Sequence, residues 1–545
     1  MKLVALLESN ARRFLESDQP LSALSLTATL REVKPNSPRY SLLHAKALFA
    51  AREYDLAMRL ATAVLSDDAE NPEAVLLVMK SAYELGDTKE SAAFADRLKQ
   101  VPFMNVMALC YLGKCAELSG DTKKAAYHYQ MALEMDPFCG EAMSALIERK
   151  LLNITDLRIL IDSLRLPPEA EVLRVSYRAR LPFESVPQEQ EKYVPRAILR
   201  LQAAAAEYER NDLQKALSLT TELLEMAPFD RGGACLHLSI LVNMKATSKL
   251  FDQAHFLANN KAHVELAVYA MGCFHFSLSN YERAGRFFSR ATELDASFAE
   301  AWIAYGHCYA KLEEGEQALD VYRRAMNYFP GLPCCSTFVG MQYGRIHQWG
   351  LASYFLEQAI KIIPDDPLVL NEIGVLNAKT HRLQEALNFF RMAYQSLSNP
   401  ENPSEYRDCI IFNLATVCRK LKQYDDALSF YTLYVKCRPN AGHGHCALAF
   451  TYHLMGNMKA AIAQYHIALS VKADSFCRDM LDRALATEFK ENTVGSSWGP
   501  EGGLGSPSPD DVSFLTVSRT LGSESMACES MGPSPGPSLG RSLPF

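Results

Sequence analysis

The sequence predicts an all-α solenoid in which pairs of antiparallel helices stack one after another. Small and large apolar residues recur with a period of 34 residues, both in the middle of the chain and near its N-terminus. Prolines close several of these units, because proline lacks a backbone N–H and cannot continue a helix. With 545 residues, of which 48% are hydrophobic, the chain can form a long continuous core.

The period is clearest in four consecutive central units. A glycine, an alanine, a large apolar residue and a second small residue each repeat there: Gly272, Gly306, Gly340 and Gly374; Ala284, Ala318, Ala352 and Ala386; Phe288, Tyr322, Leu356 and Phe390; Ala291, Ala325, Ala359 and Ala393. This is the tetratricopeptide (TPR) pattern, in which one helix pair cannot bury its apolar face alone. We expect the glycine and alanine of each unit to pack where its helices cross, and the stack to form a right-handed superhelix with a concave groove.

The same period extends back to the N-terminus. Small residues again lie 34 positions apart: Ala23, Ala57, Ser91 and Ala125. Pro35 and Pro137 occupy the closing position of their units. We predict four helix pairs over residues 1–139.

Between residues 140 and 195 the period is lost. Two apolar helices are predicted, around 141–152 and 155–164. Prolines then forbid a long helix: Pro167, Pro168, Pro182, Pro187 and Pro195. We interpret 140–195 as a helical connector followed by a loop that interrupts the solenoid.

The period resumes at Arg196 and continues to residue 475, giving about twelve units in all. The unit at about 231–264 matches poorly, since Ala254 lies only 30 residues before Ala284, and seven extra residues follow about position 398. A last helix, 476–489, is predicted to cover the exposed end of the stack.

Residues 490–545 are predicted to form a disordered tail. Their composition changes to Gly, Ser and Pro, which cannot bury enough apolar surface to fold. Ser506, Ser508 and Ser534 each precede a proline, the pattern that suits proline-directed kinases. The alternative is that a tail rich in both residues produces these pairs by chance.

Composition excludes several classes of function. Fifty-six basic against 63 acidic residues give a net charge of −7, which offers no general attraction to nucleic acid or to an anionic membrane. No run approaches the roughly 18 apolar residues of a membrane span, and the N-terminal apolar stretch is too short for a signal peptide. The 14 cysteines show no framework spacing, which favours reduced thiols in a protein of the nucleus and cytoplasm.

Catalytic motifs are not apparent. A hydrolase-like string at 532–536, centred on Ser534, is flanked by prolines in the tail and lacks the strand and helix that the motif needs. His443, His445 and Cys446 suggest a metal, but no second ligand pair lies nearby, so we expect them to be packing residues. We therefore predict no catalytic residues, no metal and no cofactor, and a chain that is not an enzyme.

A basic ladder is predicted along the inner surface of the C-terminal array. Basic side chains lie five positions after the glycine, or its equivalent, in four units: Lys311, Arg345, Lys379 and Lys420, with Arg419 beside the last. Asn371 and Asn413 should point toward the same side and could bond the backbone of an extended peptide. We interpret these residues as a peptide-binding groove for a segment of acidic or carbonyl-rich character. The alternative is that the basic side chains solvate helix ends and oppose the helix dipole.

Several stretches carry a family resemblance. AWIAYGHCYA, STFVGMQYGR, PDDPLVLNEIGVLNA and VCRKLKQYDDALSFY resemble the C-terminal half of the cell-division-cycle-sixteen-type TPR subunits of the anaphase-promoting complex (cyclosome). The similarity covers about residues 1–489 and is most specific from 265 to 475. It implies a non-catalytic scaffold subunit of a multisubunit ubiquitin ligase that controls mitosis. It also implies a homodimer through the N-terminal repeats, contacts with related TPR subunits, and a small accessory subunit in the C-terminal groove.

Two other classes of function remain open. A TPR adaptor of another assembly, such as a co-chaperone or a transport complex, would share the fold. A co-chaperone clamp uses three repeats, however, and the many further repeats here favour assembly. The other alternative, an enzyme with a cryptic site, requires a pocket that collects polar groups outside the groove.

Overall fold

The protein is all-α in the part of the chain that its structure describes. The computed structural model describes residues 2–35, 37–100, 105–181, 186–187, 189–259, 263–397 and 405–493. Within these ranges it contains 28 α-helices, two short 3-10 helices and no β-strand, so the predicted all-α class is confirmed. Residues 490–493 of the predicted tail belong to the last helix instead, and the rest of the tail, with Ser506, Ser508 and Ser534, lies outside the described residues.

The chain forms two compact units. The first comprises Met1–Pro195 together with Met326–Leu332, and the second comprises Arg196–Ala325 and the chain from Pro333 onward. The N-terminal part of the first unit contains eleven helices: α1 (Lys2–Glu16), α2 (Pro20–Val33), α3 (Pro38–Ala50), α4 (Tyr54–Asp67), α5 (Pro72–Glu84), α6 (Thr88–Gln100), α7 (Val106–Leu118), α8 (Thr122–Met135), α9 (Gly140–Glu148), α10 (Ile154–Ser163) and α11 (Glu171–Arg178).

The remaining helices begin at Arg196. They are α12 (Arg196–Glu209), α13 (Leu213–Met226), α14 (Arg231–Asn243), α15 (Thr247–Ala258), α16 (Val264–Ser277), α17 (Tyr281–Leu294), α18 (Ala299–Lys311), α19 (Gly315–Tyr328), α20 (Pro333–Arg345), α21 (Trp349–Ile362), α22 (Pro367–Lys379), α23 (Leu383–Gln395), α24 (Glu405–Lys420), α25 (Tyr424–Cys437), α26 (Gly442–Leu454), α27 (Met458–Val471) and α28 (Ser475–Thr493). The last of these is the predicted terminal helix, extended at both ends.

Local chemistry sets where the helices begin. Asn71 and Asn105 precede α5 and α7, and each side-chain oxygen accepts a hydrogen bond from the N–H group three residues later. Asp121 caps α8 in the same way, and Asp230 caps α14. Such caps satisfy N–H groups that the first turn of a helix leaves without a partner.

A residue with positive φ joins the two helices of most pairs, again with a period of 34. In the first unit these residues are Asp18, Arg52, Gly86 and Gly120; in the second they are Asn211, Lys245, Ser279, Glu313, His347, His381, Lys422 and Gly456. The step from His381 to Lys422 is longer by the seven inserted residues and no more. The insertion therefore leaves the register of the later pairs intact. Most of these residues are not glycine, which is why the sequence analysis did not detect this second period.

The segment after α10 differs from the predicted loop. Instead of a loop, residues 168–178 form a short 3-10 turn followed by α11. Pro167 and Pro168 stand before the helix, where proline is tolerated because the N–H it lacks would have no partner there. Tyr177 is buried, and its hydroxyl donates to the carbonyl of Pro137 at 3.4 Å. Pro167 and Pro168 therefore mark the start of a helical segment that packs within the first unit.

The glycines of the central units lie against the second helix of their own pair. A methyl group built on Gly272 would come within 2.5 Å of a ring carbon of Phe288, and one on Gly374 within 2.7 Å of Phe390. Gly306 faces Tyr322 and Gly340 faces Leu356 in the same way. The alanines of the same pairs are fully or almost fully buried: Ala284, Ala318, Ala352 and Ala386. Each crossing thus has a small residue against a large one 16 positions later.

In the poorly matched unit the sizes are reversed. Leu238 occupies the phase of the glycine, and Ala254, 16 residues later, occupies the phase of the aromatic residue. Leu250 takes the place of the repeat alanine, and all three residues are buried in one apolar cluster. The helices of this unit, α14 and α15, approach each other less closely than those of the central pairs, in agreement with a leucine at the position of the glycine.

We predict that Gly306→Ala lowers the melting temperature. The added methyl group would collide with the ring of Tyr322, which is buried and hydrogen-bonded through its hydroxyl to Nδ1 of His307 at 2.6 Å. Overpacking of this kind costs about 1–3 kcal/mol. Gly344→Ala is the matched control, because a methyl group there meets nothing within 4 Å and alanine favours a helix over glycine. Equal melting temperatures for the two variants, measured by circular dichroism, would contradict the proposed crossing.

Candidate peptide-binding site

The four residues of the predicted basic ladder lie at equivalent positions. Lys311, Arg345, Lys379 and Lys420 are the last residues of α18, α20, α22 and α24. Lys379 is exposed and the other three are half-buried. Nη1 of Arg345 donates to the carbonyl oxygen of Ala310, in the last turn of α18, at 3.3 Å. This position also suits the alternative role, because cations stabilise the C-terminal end of a helix. Partner contact by these four side chains stays a prediction.

Asn371 and Asn413 form a buried pair between α22 and α24. Neither side chain is exposed to solvent. Nδ2 of Asn413 donates to Oδ1 of Asn371 at 3.1 Å, and Nδ2 of Asn371 donates to Oε1 of Glu372 at 3.2 Å. The sequence analysis expected both amides to face the groove with their hydrogen-bonding groups available. The structure instead joins them to each other and to a buried carboxylate, so that they link two successive first helices.

Arg419 is the most unusual residue of this region. It is only 2% exposed, and among the described residues its three guanidinium nitrogens have no hydrogen-bond partner. The guanidinium group lies over the ring of Phe450 in α26, with Cζ 4.9 Å from the ring centroid. A buried charge without hydrogen bonds is costly, although a cation–π contact offsets part of the loss. Arg419 is therefore a buried cation whose hydrogen-bonding capacity the described residues leave unused.

Two more polar side chains near this region were missed by the sequence analysis. Gln342 and Tyr343, in α20, are buried, and Oε1 of Gln342 and the hydroxyl of Tyr343 have no hydrogen-bond partner among the described residues. The repeat phase does not mark them, since the next unit has Leu376 and Asn377 at these positions. We refer to Gln342, Tyr343, Asn371, Asn413 and Arg419, on α20, α22 and α24, as the inner polar cluster, within which a hydrogen bond joins Asn371 and Asn413.

The two histidines that the sequence suggested as metal ligands are hydrogen-bonded to protein groups. Nε2 of His443 is hydrogen-bonded to the hydroxyl of Tyr434 at 2.6 Å. Nδ1 of His445 is bonded to Oε1 of Gln464, and its Nε2 to the carbonyl of Pro439. Both imidazoles are thus held by protein groups.

Cys446 lies instead beside residues at the start of α28. Within the described residues, Cys446, Asp474 and Cys477 bring their potential ligand atoms within 4.8 Å of one another. A hydrogen bond with Cys477 and burial both raise the pKa of the Cys446 thiol. A metal binds the thiolate form of a cysteine, whereas the surroundings of Cys446 favour its neutral thiol, which suits packing.

The described helices do not include a membrane span. None of them is both long enough and apolar enough to cross a bilayer.

The sequence is similar to a repeat family and to named proteins. Residues 42–105 and 269–330 match the tetratricopeptide repeat family. The chain is 31% identical over 472 residues to anaphase-promoting complex subunit 6 of Arabidopsis thaliana, which covers 83% of this chain and 84% of that protein. It is 29% identical over 383 residues to the cell division cycle protein 16 homolog of Mus musculus, which covers 67% of this chain and 62% of that protein.

A solved structure has the same fold. The APC/C hetero-tetramer Cut9–Hcn1 matches with a TM-score of 0.72 at 23% identity, covering 88% of this chain and 96% of that chain. With the repeat-family match, this confirms the predicted TPR fold.

We predict that the side chain of His443 stays neutral at pH values well below the ordinary histidine pKa of about 6.5. Burial, with the nearby charges of Lys472 and Arg438, lowers its pKa to about 4. The unfolded chain, with an ordinary histidine pKa near 6.5, binds this proton first, so the contribution of His443 to stability is lost as the pH falls from about 6.5 to about 4.

Proton NMR and thermal denaturation as a function of pH test this expectation. The C2 proton of His443, assigned by its absence in His443→Gln, should titrate with a midpoint below pH 5. The variant should lose less melting temperature than the wild type over the same range. A midpoint near 6.5 would contradict the prediction.

Proposed function

The chain belongs to the anaphase-promoting complex subunit 6 family, and we propose that it is a non-catalytic scaffold subunit of that complex, acting in the nucleus and cytoplasm. The observation that carries this proposal is 31% identity sustained over 83% of the chain and 84% of the Arabidopsis protein. The helix pairs account for nearly all of the described residues, which leaves surfaces, rather than an enclosed active site, to perform the function. The complex is a ubiquitin ligase of the cell cycle, and we assign its catalysis to other subunits.

The proposed partners are neighbouring TPR subunits, a second copy of this chain, and a small accessory subunit. Cut9, which shares the fold, assembles with Hcn1 in a hetero-tetramer. By analogy we propose that the accessory subunit binds along α20, α22 and α24. The inner polar cluster supports this assignment, because it offers a cation, an amide oxygen and a hydroxyl without partners within the described residues. An extended peptide supplies both donors and acceptors to such groups through its backbone.

Arg419→Met should separate a binding role from a structural one. If the guanidinium group binds the accessory subunit, its replacement should weaken the binding free energy by about 1.5–3 kcal/mol, the value of a hydrogen bond to a charged group. The free chain should become no less stable, since apolar replacement of a poorly paired buried charge is often stabilising. The measurement is affinity purification from cells with mass spectrometry, combined with melting of the purified chain.

The matched control is Arg391→Met, an exposed basic residue on α23. It should retain the small subunit. Two further variants address the predicted groove: Asn371→Ala, and Arg345, Lys379 and Lys420 changed together to Glu. Full retention of the small subunit by Arg419→Met and by both further variants would refute the proposed site. Family membership would stand if the large subunits still copurified.

Self-association is expected to involve the first helix pair. Leu3 and Leu6 are each 60% exposed and lie on one face of α1, three positions apart. Such leucines are costly to leave in water, and a symmetric patch is the commonest contact between identical chains. We predict that Leu3→Lys with Leu6→Lys converts a dimer of the full chain to a monomer at micromolar concentration.

Sedimentation velocity checks this prediction. Ile159→Lys provides the control, because Ile159 is 67% exposed in α10 and lies in the same unit. A monomeric wild type would overturn the proposed homodimer. A dimer that survives both leucine changes would place the contact elsewhere.

A further inference from the structure

A second ladder of charged residues lies in the first unit. Lys46, Lys80 and Lys114 stand 34 positions apart, on α3, α5 and α7. Glu73, Met107 and Glu141 also stand 34 positions apart, near the starts of α5, α7 and α9. Each lysine is therefore matched with a residue of the next first helix, 27 positions later. We call these three lysines the lysine ladder.

Two steps of the ladder are ion pairs. Nζ of Lys46 lies 2.6 Å from Oε2 of Glu73, and Nζ of Lys114 lies 2.5 Å from Oε1 of Glu141. These pairs bridge successive helix pairs by the same geometry. The backbone at this phase thus places a carboxylate at the ammonium group whenever the sequence provides an acidic residue.

The middle step lacks its carboxylate. Met107 occupies the position of Glu73 and Glu141, and Nζ of Lys80 contacts its sulfur instead. Among the described residues no carboxylate lies within ion-pair distance of Lys80. Met107 is 54% exposed, so this step is open to solvent.

The surroundings of Lys80 make its charged form less stable than it is in water. Its ammonium group lies 4.8 Å from the centroid of the Tyr111 ring, and that of Lys114 lies 4.5 Å from the same centroid. Burial, followed by the charges of Lys114 and Lys46, lowers the pKa of Lys80 to about 8. The Tyr83 ring meets Tyr111 edge to face at 5.9 Å and adds an apolar wall beside the charge.

We propose that the middle step of the lysine ladder binds a carboxylate from an acidic segment of a partner protein. The carboxylate would take the place that Glu73 and Glu141 take at the neighbouring steps, and would pair with Lys80. An aspartate or glutamate side chain matches this place in charge and in size, because the chain itself uses glutamate there twice. The flanking tyrosines suit the apolar part of an extended peptide. This site involves no residue of the inner polar cluster and does not depend on the proposed accessory subunit.

The experiment supplies the missing carboxylate within the chain. Met107→Glu should restore the repeated ion pair and fill the site, whereas Met107→Gln has nearly the same shape without the charge. The probes are two fluorescein-labelled decapeptides, alternating glutamate with alanine and alternating glutamine with alanine. Their binding to the full-length chain is measured by anisotropy at low ionic strength, where charge contacts are least screened.

The wild type and Met107→Gln should both prefer the glutamate peptide. Met107→Glu should weaken its binding by about tenfold or more, the factor expected for one hydrogen bond to a charged group. Lys80→Gln should produce a similar loss, and adding Met107→Glu to it should have little further effect. In Met107→Glu the NMR titration of the Lys80 ammonium group should move to higher pH.

Two results would overturn the proposal. One is a wild type that binds the glutamate and glutamine peptides equally. The other is a Met107→Glu variant that binds the glutamate peptide as well as the wild type while its Lys80 titration has moved, since the site would then be filled without affecting the ligand.

Discussion

The close crossing of two helices, a small residue against a large one, is the contact on which the rest of the structure depends. In the pair formed by α18 and α19, Gly306 lies under the ring of Tyr322 and leaves no space for a methyl group. Because a helix pair buries little apolar surface alone, it needs both this internal contact and its neighbours in the stack. The crossing fixes how the first helix is rotated, and therefore which of its side chains face inward. That rotation sets the direction of each side chain on the first helix.

The same constraint explains how much of the fold could be predicted. Gly272 and Phe288 mark their crossing directly, because a glycine in a helix interior is otherwise unfavourable. The pair with Leu238 and Ala254 has a large residue at the phase of the glycine and a small one at the phase of the aromatic residue, and a search for small residues at fixed phases cannot recognise it. The positive-φ residues of the turns could not be predicted from the sequence for a similar reason. Lys245 and Glu313 adopt positive φ at the positions where Gly86 and Gly120 do so in the first unit. The helix stack holds these residues in a conformation that their own side chains disfavour.

The candidate site was less accessible to sequence reasoning, because repeat phase gives direction but not depth. Lys379 and Arg419 both belong to the predicted groove, yet the first is exposed and the second is almost completely buried. Burial depends on how the next helix pair covers each position, and Phe450 of α26 covers Arg419. Asn371 and Asn413 show the same limit. Their polarity within an apolar helix was visible in the sequence, but their pairing with each other across two helices was not.

A repeat protein provides its own comparison for judging whether a side chain has a partner. In a single domain an unpaired lysine is unremarkable, because surface ion pairs contribute little and are often absent. In the first unit the ion pairs of Lys46 and Lys114 show what the backbone offers at this phase, so the methionine opposite Lys80 is a specific departure. Arg419 in the second unit has no such internal reference, and what distinguishes it is its burial and the absence of side-chain hydrogen bonds within the described residues. The two proposed sites therefore rest on different physical observations, although both concern a cation for which the described residues of the unit supply no anion.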